Sequence, residues 1–434
     1  MLGERAEARD SPPAMSVLFR TPLLLLFALG CSGTAKTGNP GEATAPGGAP
    51  SPVASPSSTA PAGAAASASP DKSQASSAEP TLPGKPPSRP LHELFETLSE
   101  RDRYSFPHNY VSNETSQLQV ASLLLTRSQP GGAYIGVGPE QNFSYIALVK
   151  PEVAFIVDIH RRNALLHLLY KAIFDEARTR SEFLCLMIGR PYDASDEPSR
   201  QAPIADIIAH VETLGTFREL ATTTLARLVE RIETKYQVKL TAADKKALAE
   251  INKAFYDGQL DIKSEFHLKT APRSPKLRDQ LALRAPDGKE LGFLATESAF
   301  RYVKRMHAED RIIPLVGDLA GTKALPGIAS YLAAEKIPLR TFYVSNVEQF
   351  VFEGKHWPKW VTNVGALPID ERSLFVRTWM NDHPPHPKQL PGGLTTTLIQ
   401  RIADFRAREQ QGSSSRNYQA LAFDPSNETV TTSR

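Results

Sequence analysis

Residues 133–163 read AYIGVGPEQNFSYIALVKPEVAFIVDIHRRN, and the fold turns on this stretch. Tyr134 to Val137 is a short apolar run interrupted by Gly136 and followed by Gly138. Pro139-Glu140-Gln141-Asn142 suits the first turn of a helix, where proline is tolerated and acids are favoured. The apolar residues Phe143 to Val149 continue that helix, and Lys150-Pro151 ends it. Val153 to Ile159 is nearly all apolar and rich in β-branched residues, as expected of a strand buried on both faces. Strand, helix and strand within roughly 30 residues predict a parallel βαβ unit. Glycines after the first strand let a backbone approach a ligand. An acid at the tip of the second strand, here Asp158, can accept hydrogen bonds from ribose hydroxyls at an offset of about 20 residues.

The same grammar continues downstream. Ser298 to Ala308 predicts a helix, Arg311 to Leu319 a strand passing through Gly317-Asp318, and Lys323 to Glu335 a helix. Arg340 to Ser345 predicts a fourth strand, followed by Asn346, and Arg372 to Trp379 a fifth. The long stretch between the second and third strands carries helical periods at Ala164–Ala177, Phe217–Tyr236 and Ala242–Tyr256, the last opened by a capping-box-like Thr241. These predict a large helical insertion over about 181–261 that shapes a pocket or covers the strand tips, where α/β sheets bind ligands. Upstream, Leu91–Phe106 and Ser116–Arg127 also read as helices. The expected fold is thus α/β, a Rossmann-like, mostly parallel sheet flanked by helices, over residues 91–410. The polar residues 411–434 read as a mostly disordered tail, apart from Gln419–Phe423, which could add an edge strand.

The chain opens differently. From Met15, a possible true start, it reads MSVLFRTPLLLLFALGC, with Arg20, an apolar run and then Gly30-Cys31. A basic start, a short apolar middle and a small residue before the cut predict a signal peptide, and the run is too short for a permanent span. Residues 32–90, dominated by Ala, Pro, Ser, Gly and Thr, cannot bury enough surface to offset their ordering entropy and predict a flexible tether. The cysteine at the cut resembles a bacterial lipobox, which implies lipidation of Cys31 and a lipid-anchored exported protein. Ser32 after it implies the outer membrane, facing the periplasm or the cell surface.

The glycine loop lacks the third glycine of the dinucleotide fingerprint, which would fall at Gln141. The segment instead resembles the first half of a class I S-adenosylmethionine-dependent methyltransferase. That resemblance implies S-adenosylmethionine as cofactor, with Gly136, Gly138 and Asp158 holding its methionine and ribose parts. It also implies Asp318 at the adenine and Asn346 facing the transferred methyl group. The sequence departs from the family at Tyr134, where an acid often opens the glycine motif, and at Glu140, where a third glycine is common. The family's Asn/Asp-Pro-Pro-aromatic motif is replaced by Ser345-Asn346-Val347-Glu348, so Glu348 becomes the candidate general base or, alternatively, a solvated helix-start residue. The segments GVGPEQN, VDI, PLVGD and FYVSNVEQ also resemble those of a bacterial lipoprotein family.

Other classes are disfavoured. Fifty basic and 47 acidic residues leave a net charge of +3 with no basic stripe among aromatics, which argues against nucleic acid. Cys31 and Cys185 are the two cysteines, and Cys185, in FLCLMIG, reads as a buried small hydrophobe. Asp158, His160 and His167 are not fixed to converge on a metal. Asp382, His383 and His386 fall in a proline-rich stretch expected at the surface. Asn142, Arg161 and Asn163 lie near the expected cleft and could position a ligand. Two readings follow. One is an exported methyltransferase acting on an unknown small-molecule or protein acceptor. The other is a non-catalytic binding or scaffolding lipoprotein that keeps the Rossmann-like layer for stability. The acids at the strand tips favour the first. Export away from the cytoplasmic cofactor pool favours the second.

Overall fold

The apolar runs form strands where their periodicity requires. A computed structural model of the protein describes residues 79–102, 109–264, 274–381, 384–412 and 415–431, all within one compact unit, Gln74–Arg434. The leader with Cys31, the tether up to residue 78, and Asp382 and His383 lie outside the described residues. In chain order the elements are α1 (Leu91–Leu98), α2 (Ala121–Arg127), β1 (Ala133–Gly136), α3 (Gln141–Val149), β2 (Val153–Asp158) and α4 (Arg161–Glu176). Then come α5 (Arg180–Ile188), α6 (Ile204–Thr213), α7 (Arg218–Thr234), α8 (Ala242–Gly258), α9 (Leu277–Leu281), α10 (Glu297–Ala308) and β3 (Ile312–Val316). The chain finishes with α11 (Ala324–Glu335), β4 (Leu339–Ser345), α12 (Val347–Glu353), α13 (Trp357–Ala366), β5 (Ile369–Met380), β6 (Thr395–Arg401), α14 (Ile402–Gln410) and α15 (Tyr418–Ala422).

The sheet order is β3-β2-β1-β4-β5-β6, parallel throughout except for the β5–β6 pair. This is the strand order of the doubly wound nucleotide-binding fold with its last strand reversed. Pro314 sits in β3, an edge strand that pairs only with β2, where its missing N–H costs no central ladder bond. Alternation places helices on both faces. Phe342 of β4 packs against Trp360 of α13, with ring centroids 5.5 Å apart, while its neighbour Tyr343 meets Tyr145 of α3 at 4.9 Å. The α3 side holds a dense aromatic cluster centred on Phe143, which touches Tyr170, Phe174 and Phe293 edge-on at 5.3–5.4 Å. The expected insertion is present as α5–α8, of which α5, α7 and α8 dock on α4 and α6 packs on α5. The Thr241–Asp244 capping box forms at the start of α8. Cys185 is buried. Among the described residues, no helix is long and apolar enough to cross a membrane.

Three local expectations are corrected, and one strand is added. The helix read over Ser116–Arg127 begins only at Ala121, because Ser116, Gln117 and Gln119 turn inward to polar partners. Thr395–Arg401, unremarked in the sequence, forms β6, with Thr395, Thr396 and Thr397 fully buried. Gln419–Phe423 belongs to helix α15 rather than to an edge strand. The tail is anchored at several points between residues 418 and 428: Tyr418 stacks on Trp379, Asn427 is buried and Glu428 bridges to Ile399.

Candidate functional site

In a doubly wound sheet the ligand crevice lies outside the carboxyl ends of the strands, where the order reverses. Here that point falls between β1 and β4. The loop Val137–Pro139 leaves β1, and Ser345-Asn346 leaves β4. Asp158 ends β2 and Asp318 follows β3 on one side, and Thr378 of β5 lies on the other. Gly136, Gly138, Asp158, Asp318 and Asn346 therefore gather at one end of the sheet. Their side chains, however, are committed to the protein itself.

Gly138 adopts φ +75°, a left-handed conformation natural to glycine. At Gly136 a Cβ would lie 2.0 Å from Asn142 Oδ1 and 2.6 Å from the Tyr134 ring, so this glycine makes room for the chain's own side chains. Tyr134 Oη donates to Asn142 Oδ1 at 2.8 Å. Asn142 Nδ2 in turn reaches the carbonyls of Val137 (2.9 Å), Gly138 (3.1 Å) and Pro139 (2.8 Å). Asn163 Nδ2 donates to the Gly138 carbonyl at 3.1 Å, and His167 Nε2 lies 2.9 Å from the same oxygen. A carbonyl can only accept, so Nε2 carries the imidazole proton. Burial pushes the His167 pKa down to about 4, against a partial lift from that bond, so the ring is neutral. Tyr134 thus anchors the asparagine that clamps the loop.

Residues 110–120, read in the sequence only in part, as the start of a helix at Ser116, roof the β4–β5 side of the crevice. Tyr110, Val111, Leu118 and Val120 are buried, and the polar residues among them reach the carboxyl end of the sheet. Glu114, 1% exposed, accepts hydrogen bonds from Tyr343 Oη and Thr378 Oγ1, both at 2.6 Å, and from Ser345 Oγ. Burial pushes its carboxyl pKa up, and the hydroxyls of Ser345, Thr378 and Tyr343 hold it back. The backbone N–H of Ser112 donates to both carboxylate oxygens of Glu140, at 3.0 and 3.2 Å. Ser116 Oγ lies 2.7 Å from Thr395 Oγ1 and 2.8 Å from Thr397 Oγ1. Gln119 Nε2 donates to the carbonyls of Lys388 and Val430, at 3.0 and 2.9 Å. Nothing local marks residues 110–120 as a roof. Their partners lie far along the chain, in β4, β5, β6 and the tail.

The remaining candidates are equally engaged. Asp158 accepts from His160 N–H at 2.9 Å and from Gly138 N–H. Asp318 Oδ1 accepts from Ala320 N–H at 2.8 Å in a turn that Asn363 braces through the Leu319 carbonyl. Asn346 Oδ1 lies 3.3 Å from Ser345 Oγ. Ser345 itself has φ +52°, a left-handed backbone uncommon for a residue with a side chain, held at the tip of β4 by its bond to Glu114. Glu348 neither lines a cleft nor meets solvent. It is 1% exposed and bound bidentately by the fully buried Arg377, at 2.8 and 3.2 Å. Arg161 pairs with Asp244 of α8 at 2.6 and 2.9 Å, tying the insertion to the start of α4. His386 is buried against Phe423 rather than surface-exposed.

Asp158 carries a pH signature. Burial pushes its pKa from 3.8 up to about 6, opposed by the His160 and Gly138 N–H groups. The folded state therefore holds this proton where the unfolded chain has lost it. Stability falls as pH rises from about 4 to 6, by on the order of 2–3 kcal/mol, and stays reduced above. His167 acts oppositely, removing stability as pH falls below its unfolded value of 6.5. Asp158→Asn is expected to flatten the first component only. Urea unfolding of both proteins across pH 4–8 checks this. A difference between them that does not change over pH 4–6 would refute it.

The geometry defines a doubly wound α/β domain whose switch-point crevice is covered on its β4–β5 side by residues 110–120, while a cavity of about 580 Å³ lined by Ser99, Arg161, Thr322 and Lys323 stays open beyond the tips of β2 and β3. The chain belongs to the family described as a domain of unknown function, DUF7790, whose model matches residues 109–197 and 212–432. The matched region includes both the roof and the packed tail. A comparison with curated proteins finds no match.

Proposed function

We propose that this chain is a non-catalytic binding or scaffolding module, exported and lipid-anchored through Cys31, in which a Rossmann-like layer serves as a stable platform. The observation that carries the reading is Glu114. A cofactor lying over the tips of β4 and β5 would meet the Glu114 carboxylate, which Tyr343, Thr378 and Ser345 already hold there. The commitment of Glu348 to Arg377 supports the same reading, because it removes the candidate base.

The methyltransferase reading keeps one favourable observation, the position of Asp158 and Gly138 together at the mouth of the β1–β2 side. Thermal unfolding separates the two readings. A cofactor present at 100 times its dissociation constant stabilises the folded state by about 2.7 kcal/mol. The expected result is no shift with millimolar S-adenosylmethionine or its demethylated product. A clear shift that disappears in Asp158→Ala would establish the methyltransferase reading instead. The anchor is tested separately: incorporation of a labelled fatty acid in a bacterial host is expected for the native chain and lost in Cys31→Ser. Equal labelling of both would remove the lipoprotein part of the proposal.

A further inference from the structure

Beneath the roof lies a cavity of about 10 Å³ lined by Gln117, Glu140, Gln141, Ser144, Gln280 and Phe293, among others. That is room for one water-sized sphere. Gln117 and Gln141 are 3% and 4% exposed, and the Oε1 atom of each has no hydrogen-bond partner among the described residues. Buried polar atoms are rarely left in this state.

The amide orientations follow from their neighbours. Tyr343 Oη donates its proton to Glu114, so it must accept from Gln141 Nε2, which it does at 3.0 Å. Flipping Gln141 would also set its oxygen against the Val137 carbonyl, 3.3 Å away. Gln280 Nε2 donates to the Ser112 carbonyl at 3.1 Å, which turns Gln280 Oε1 toward Gln117. Gln117 Nε2 answers it at 3.1 Å, leaving its own Oε1 without a partner. Ser144 Oγ already accepts from Phe293 N–H at 3.2 Å. Glu140, 3% exposed, has no ion-pair partner among the described residues, and no Lys, Arg or His lines the cavity. Burial pushes the Glu140 pKa up to about 7, held back by the Ser112 N–H, so above that pH a carboxylate lines the same cavity as the amide and hydroxyl oxygens, an arrangement that calls for positive charge without bulk.

We propose that the cavity binds one dehydrated monovalent cation, of the sodium or potassium kind, through the Glu140 carboxylate, Oε1 of Gln117 and Gln141, and Ser144 Oγ. Hard cations take oxygen ligands, and a single charge matches a single carboxylate. Magnesium, which keeps several of its waters, has no room. Bound there, the ion ties Gln117 of the roof to the first turn of α3. The site is independent of whether the crevice above it ever held a cofactor.

Thermal unfolding of the full chain in sodium, potassium and choline chloride at equal concentration tests the site. A saturable rise in Tm is expected with sodium or potassium and not with choline, roughly 5 °C at 100 times the dissociation constant. Glu140→Gln, of the same shape without the charge, is expected to lose that rise. Equal midpoints in all three salts would overturn the proposal in favour of a buried water, and this comparison stands even if Glu140→Gln fails to fold. A saturable rise that persists undiminished in Glu140→Gln would place the ion elsewhere and equally overturn it.

Discussion

Glu348→Ala is expected to lower the unfolding free energy by about 3–5 kcal/mol, the usual cost of removing one partner from a buried ion pair. The cost arises from the partner left behind. Arg377 is fully buried, and its remaining bonds, from Nη1 to Gln400 Oε1 at 2.7 Å and to Asn427 Oδ1 at 2.9 Å, go to neutral oxygens that cannot balance its charge. Against a total stability of about 5–15 kcal/mol for a typical domain, this leaves little margin. The double variant Glu348→Leu/Arg377→Met is expected to recover much of the loss, because paired apolar replacements leave no uncompensated charge. Urea unfolding of the three proteins measures this. A Glu348→Ala protein as stable as the native one would mean that the pair contributes nothing. It would also reopen Glu348 as a solvent-facing or catalytic group.

Glu114→Ala is expected to cost about 3 kcal/mol or more. It strands the hydroxyls of Tyr343, Thr378 and Ser345 without their acceptor, at about 1–3 kcal/mol for each group left unsatisfied, with losses that do not simply add. The damage should be local first. Hydrogen exchange is expected to rise across residues 110–120 before the central strands respond, because the roof is held mainly by these side-chain bonds and those of Ser116 and Gln119. Unchanged exchange in that segment would show that its apolar residues alone hold it. A response to S-adenosylmethionine in Glu114→Ala, absent in the native protein, would mean that a cofactor site survives beneath the roof.

Both variants bear on how far the site could be read from the residues. The βαβ unit of residues 133–163 was legible because each element satisfies a local rule. Val153–Ile159 is apolar enough for a strand covered on both faces. Gly136 and Gly138 mark the turn, and Pro139 opens the helix. Asp158 and Asp318 were placed correctly at their strand tips, since alternation and strand length determine where a run ends. Their use was not legible. Whether a carboxylate faces a ligand or a backbone N–H depends on what lies across from it. His160 follows Asp158 closely in sequence, but the Gly138 N–H that shares its carboxylate comes from the preceding strand–helix turn. Glu348 reads locally as an ordinary acid in a first helical turn, and its partner Arg377 lies beyond α13, on β5.

The sequence by itself thus determined the five parallel strands and the end of the sheet at which a site would gather. Those properties follow from periodicity and turn chemistry, which act over a few residues. Only the tertiary structure decided that the β4–β5 side of the site is covered. Glu114 reaches Tyr343 and Thr378 across more than half the folded chain. Bonds of that kind are set by the geometry of closure, which leaves no mark in the local pattern of residues 110–120.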